Sequence, residues 1–154
     1  MPDLMSHLVI GLILAEIFNI RKKSLVALGA IMPDLIAKID LLVFHLNAGI
    51  PLSFVHFHTP VMGFLAAIFL ARFFRYSQVK ASLFIILGVM SHLAADLAIK
   101  HFSGSGGVYL LFPFSVKPYS LGLIWPEQSF YTLILSVLVY AFVKIVKRNY
   151  SKSH

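Results

Sequence analysis

The sequence predicts an all-α integral membrane bundle of about five helices, one of them broken at Pro33, forming a single domain over residues 1–154. Three observations predict it. The 154 residues are 59% hydrophobic and 12% charged, whereas soluble domains run near ~45–50% apolar and ~25% charged. A chain of this length cannot hide that much apolar surface in one core. The apolar residues gather in stretches near the ~20 residues that cross a bilayer core, and the basic residues cluster between those stretches.

The first stretch, about 5–20, is preceded by Asp3 and followed by Arg21-Lys22-Lys23. A signal peptide has the opposite charge order and a small-residue cleavage site, so this segment is expected to stay. The second, about 24–44, contains Ile31-Met32-Pro33-Asp34. Proline removes a backbone donor, and two short helices are expected there. The third and fourth stretches cover about 58–74 and 81–99, and the fifth about 128–146. Between the last two, Ser103-Gly104-Ser105-Gly106-Gly107 reads as a turn, followed by an aromatic, proline-rich run to Trp125-Pro126. Its Tyr109, Phe112, Phe114, Tyr119 and Trp125 fit the aromatic belt at headgroup depth. No internal repeat or low-complexity tract interrupts the chain.

The basic clusters set the orientation, because Lys and Arg in short loops stay cytoplasmic. They are Arg21-Lys22-Lys23, then Arg72, Arg75 and Lys80, then Lys144, Lys147, Arg148 and Lys152. Five spans with an outside N-terminus put all three clusters inside and leave Lys100 and Lys117 to outer loops. The expectation is a multi-pass protein of the cell (inner) membrane. The net charge of +7 comes from these clusters rather than from one basic stripe, which argues for the lipid bilayer and against nucleic acid as the main partner.

There is no cysteine, so any metal must be held by imidazole and carboxylate. On the map above, His7, His45, His56, His58, His92 and His101 all fall in the outer half, together with Asp34 and Asp96. Imidazole and charge inside a membrane are costly and usually line a polar cavity. The most specific local signal is His92 and Asp96 in S-H-L-A-A-D-L. Residues four apart share one helix face, and this pair of donors suits zinc and related divalent ions. The alternative is a buried His–Asp hydrogen bond between helices. Asp34 follows the proline and could join the pair, or could bond Lys38 one turn on. His58 opens the third stretch and competes with His56 for the role of ligand. His7 can reach the same cavity from the first helix and handle protons. Glu16 lies beside the basic cluster and reads as an ion-pair partner. Asp40, His45 and His101 are not singled out.

The ordered set M-S-H-L, G-A-I-M-P-D-L, F-H-T-P, S-H-L-A-A-D-L and L-L-F-P-F-S, over roughly residues 5–116, resembles the membrane-bound metal-dependent hydrolases of bacteria and archaea. These are described as LexA-binding, inner-membrane-associated hydrolases. That family is similar in motif order to zinc-dependent phospholipase C and the single-strand-specific zinc nucleases. The resemblance implies Asp34, His58, His92 and Asp96 as metal ligands, and a phosphoester or phospholipid substrate. One departure stands out: the family's H-R-G-x-T-H-S motif would have its first histidine where this chain has Ser53, five residues before His58, and the arginine is missing. His56 is the candidate replacement.

The expected function is therefore a membrane-bound metal-dependent hydrolase. It would carry zinc, or manganese as the alternative, at Asp34, His58, His92 and Asp96, with His7 and His56 as catalytic groups. Lys100 and Lys117 would receive an anionic headgroup or simply anchor the interface. A metal lowers the pKa of bound water and polarises an ester or phosphoryl oxygen. No G-x-S-x-G elbow, P-loop or dinucleotide fingerprint is present to suggest another chemistry. The competing reading is a non-enzymatic membrane protein with a structural, sensing or transport metal site.

Overall fold

Among the described residues, five α-helices, α1 (Leu4–Ile17), α2 (Lys23–Leu46), α3 (Pro60–Ala71), α4 (Gln78–Leu97) and α5 (Ser129–Lys152), make up the fold. The computed structural model describes residues 4–46, 58–100 and 107–152, with side chains described in those ranges except at 37, 39–46 and 151–152. Among the described residues there is no β-strand, only isolated bridges pairing Ile99 with Ile124 and Val108 with Tyr119.

Local chemistry sets the ends that matter for the site. α1 stops in a Schellman turn: Asn19 takes a left-handed φ of 53°, Ile20 N–H reaches Ala15 O at 2.9 Å, and Asn19 N–H reaches Glu16 O at 3.1 Å. Ile20 then buries against Ala15 and Val26, the apolar contact that accompanies this cap. α3 begins with Thr59 as N-cap, its hydroxyl accepting from Met62 N–H at 3.3 Å, and Pro60 in the first turn. That cap fixes the chain at His58.

The expected break at Pro33 is not there. α2 runs unbroken for 24 residues with Pro33 inside it. Proline costs a helix one hydrogen bond and a local clash, and neighbouring helices can compensate both. Pro33 is fully buried, and α2 is clamped by α1 and α4.

α4 occupies the middle, touching α1, α2 and α3, while α5 packs chiefly on α1. Leu25, Ala67, Ala71, Ala81 and Ile85 form one apolar cluster, and Met32, Val89, Leu93 and Val108 another. The α2–α4 crossing is a backbone contact. A methyl group on Gly88 would stand 2.1 Å from Val26 O, and one on Gly29 would stand 2.0 Å from Ile85 O. Small residues at helix contacts are the usual way membrane helices approach closely.

Among the described residues, the helices of α4 (Gln78–Leu97) and of the α5 region (Pro126–Tyr150) are long and apolar enough to cross a membrane, while α1 and α3 are apolar but shorter, at 14 and 12 residues. At 1.5 Å per residue they reach about 21 and 18 Å, against a core of about 30 Å. α5 shows apolar side chains around most of its girth, including Phe130, Leu135, Leu138 and Phe142, a surface of lipid-facing character.

The basic clusters meet at one end of the bundle. Lys147 Nζ donates to Glu16 O and to Asn19 Oδ1, Lys23 pairs with the Glu16 carboxylate, and Lys22 lies 5.8 Å from the Tyr76 ring. Glu16 is thus the ion-pair partner expected of it. Past α4 the chain turns back: Lys100 N–H reaches Ile124 O at 2.8 Å, and Leu121 N–H reaches Leu97 O at 2.7 Å. This return loop exposes Phe114, Val116, Leu121 and Leu123.

Candidate metal centre

His7, Asp34, His58, His92 and Asp96 converge on one buried point. His7 comes from the first turns of α1, Asp34 from the turn after Pro33 in α2, and His58 from the entry to α3. His92 and Asp96 share one face of α4. Measured along the helices, His7 is about 15 Å from the α1 end that carries the basic cluster, and His92 about 21 Å from the start of α4. The point lies deep in the bundle, toward the end away from the basic clusters.

His58 Nε2 is 3.3 Å from Asp34 Oδ1 and 3.9 Å from Asp96 Oδ2. His92 Nε2 is 3.2 Å from Asp96 Oδ2 and 3.9 Å from Asp34 Oδ1. His7 Nε2 is 3.4 Å from Asp96 Oδ1 and 4.0 Å from Asp34 Oδ2. The His7 and His92 rings stack with centroids 3.9 Å apart and planes at 28°. On its far side His92 Nδ1 donates to Ala30 O at 2.8 Å.

All five residues are buried, and His7 and His92 are completely so. Yet His7 Nδ1, His7 Nε2, His92 Nε2 and Asp96 Oδ1 have no hydrogen-bond partner. Buried polar atoms are nearly always paired, and those that are not call for an explanation such as an ion. Two carboxylates at one buried point also repel unless a cation lies between them. The donor set suits that cation. With bonds of ~2.0–2.2 Å to one zinc, donors at the tetrahedral angle stand ~3.3–3.6 Å apart, inside the observed 3.2–4.0 Å. Two sets of three, His7–Asp34–His92 and His58–His92–Asp96, each keep their ligand atoms within 4.8 Å of one another.

A family model for the YdjM inner membrane protein matches residues 1–153. The chain belongs to that family. The family's description places it in the inner membrane, where the apolar α5 surface and the basic end of the bundle are both accounted for. No curated protein and no solved structure matches the chain.

Two other expected site residues, Lys100 and Lys117, lie outside the cluster. Lys100 is exposed, with Nζ 3.9 Å from the Trp125 ring centroid, and Lys117 is exposed on the return loop, its N–H donating to Ser115 Oγ at 3.3 Å. The structure does not bring either into the cluster. His56, Ser53 and His101 lie outside the described residues, as do the side chains of Asp40 and His45. Asp34 faces three imidazoles, and Lys38 is exposed. Sequence reading missed the Ala30 carbonyl and the glycines at the helix crossings. One signal was available: Gly11 and Gly88 stand four residues from His7 and His92, on the faces that must meet.

Proposed function

We propose that this protein is a multi-pass inner-membrane metal-dependent hydrolase acting on a phosphoester or phospholipid-like substrate. Zinc, or manganese in its place, would be held by Asp34, His58, His92 and Asp96, with His7 as a fifth donor. The observation that carries this reading is that His7 Nε2, His92 Nε2 and Asp96 Oδ1, all buried and without a hydrogen-bond partner, lie together among the two carboxylates. A polar network serving only stability would be expected to pair them.

Such an ion supplies a Lewis acid that polarises an ester or phosphoryl oxygen and activates water. The residues do the rest. Asp34 and Asp96 bring the negative charge that retains a divalent cation, and the three imidazoles complete the shell. His58 is the most open member, its side chain 10% exposed against 0% for His7 and His92, so the substrate approaches past it. Lys100 and Lys117, exposed near the outer end of α4 and on the return loop, would meet an anionic headgroup. With the basic clusters held in the cytoplasm, the centre faces the extracytoplasmic half of the membrane.

A metal transport path is disfavoured. It would need polar groups continuing along the bundle, and among the described residues the next buried acid, Glu16, is bound to Lys23. The complete burial of His7 and His92 favours one competing reading, a closed structural or sensing metal site. Hydrolysis separates the two. Metal-loaded protein in detergent is expected to turn over a chromogenic phosphodiester or a phospholipid in mixed micelles, and to lose that activity in Asp96→Ala. Metal-loaded protein with no turnover on either substrate, but with a melting temperature that falls on chelation, would favour the structural site.

A further inference from the structure

We propose that the groove between α2 and α3 holds the acyl chain of the substrate, with the ester at the metal centre, so that the substrate is a membrane lipid rather than a water-soluble phosphoester. The inference rests on the hydrolase reading and narrows its substrate class.

α2 and α3 each pack on α4, and between them they leave a groove of about 570 Å³. Leu28, Met32 and Leu35 line it from α2, and Met62, Ala66 and Phe69 from α3. Both sets follow the four-then-three spacing that keeps side chains on one helix face. Every described side chain lining the groove is apolar, so nothing there is suited to hold water. Its size falls within the ~300–1,000 Å³ of small-molecule sites.

The position of the groove decides which part of a lipid it takes. His58, at the entry to α3, bonds Asp34 of α2 at 3.3 Å, and so ties together the two elements that wall the groove. Leu35 is the residue after Asp34, and Met62 lies one helical turn beyond His58. The groove therefore starts beside the most open ligand of the centre. From Met62 it runs along α3 to Phe69, about 10 Å by helix rise, toward the end of the bundle that carries the basic clusters. A polar outer end and an apolar inner run match a lipid of the outer leaflet, whose phosphoester lies near the interface and whose chain points to the bilayer centre. About 10 Å covers most of one leaflet's half of a ~30 Å hydrocarbon core. Lipid tails are as apolar as leucine, so the groove contributes orientation: a chain lying in it holds the ester at the ion. A soluble phosphoester has no part that fits there.

The test uses full-length, zinc-loaded protein in detergent, with a long-chain phospholipid carrying a diazirine midway along one acyl chain as a trace photoprobe. Mass spectrometry locates the adducts. Those on the groove faces of α2 and α3 are expected to saturate with probe and to be competed by the same lipid without the diazirine, whereas those on the exposed face of α5 should rise in proportion to probe. Ala66→Phe puts a ring into the groove about two turns past His58, and is expected to remove most groove adducts while zinc stays bound. It should also lower kcat/KM for the long-chain phospholipid by at least ~10-fold more than for a short-chain phosphodiester, the scale on which apolar pockets discriminate. If Ala66→Phe does not fold, Met62→Trp, at the outer end of the groove, takes its place. Groove labelling no stronger than that of α5 and unaltered by the variant, or equal losses on the long and short esters, would overturn the proposal. Failure of the hydrolase reading appears separately, as saturable groove labelling with no turnover of either ester, and the groove would then stand as a lipid site without the reaction.

Discussion

Replacing Gly88 by alanine perturbs the helix crossing without touching any ligand. The added methyl would stand 2.1 Å from Val26 O and 2.6 Å from Ala30 N, both backbone atoms that cannot swing aside. Restoring ordinary contact, near ~3.5 Å, requires α2 and α4 to part by about 1.4 Å. Overpacking of this kind typically costs about 1–3 kcal/mol, and a clash with backbone falls at the upper end. The same displacement carries His92 away from Ala30 O, from 2.8 Å to about 4 Å, past hydrogen-bonding range. Zinc affinity is then expected to fall by at least the ~10–100-fold that follows loss of a ligand's supporting bond. Thermal unfolding in detergent and zinc titration against a chromophoric chelator measure the two effects. Gly63→Ala is the comparison: its nearest contact is the Val89 side chain, at 2.5 Å, rather than backbone, so a smaller loss of zinc affinity is expected than for Gly88→Ala. Gly88→Ala with wild-type melting and wild-type zinc affinity would show that the α2–α4 crossing does not set the site.

Other consequences can be checked in the same preparation. Asp34→Asn keeps the shape of the side chain and removes one of two charges facing the ion, so zinc binding should fall by more than tenfold; unchanged binding would remove Asp34 from the donor set. His7→Ala should lose metal if His7 is a donor, whereas retained metal with lost hydrolysis would return it to the proton-handling role that its place in the sequence suggests. Acidification should release the metal, because protons compete for imidazole nitrogen and carboxylate oxygen; affinity that does not change between neutral and mildly acid pH would argue against a histidine-rich site. A reporter active only in the cytoplasm, fused after residue 154, should be active, and an inactive fusion would reverse the assigned orientation.

Much of this architecture was legible in the sequence, for reasons specific to membrane proteins. Apolar stretches bounded by basic residues locate helices well, and each of the five helices overlaps its expected stretch closely. Pro33 is where local reading failed. A missing N–H is a local fact, whereas the clamping of α2 by α1 and α4 is a tertiary one. At the cluster, H-x-x-x-D on α4 was readable because four-residue spacing alone puts His92 and Asp96 on one face. The stacking of His7 on His92, the His58–Asp34 hydrogen bond at 3.3 Å and the pairing of Lys100 with Trp125 were not readable, since each joins segments far apart in the chain. The glycines are intermediate: their spacing from the histidines was visible, but which backbone each one admits depends on the crossing of two helices.

Elemental analysis of detergent-purified protein, wild type beside His92→Ala and Asp96→Ala, shows whether five residues from four segments hold one divalent ion. Close to one zinc or manganese per wild-type chain is expected, and little in either variant. A wild-type protein that is metal-free, and stays so after divalent ions are added back, would contradict it and leave the cluster as a buried polar network.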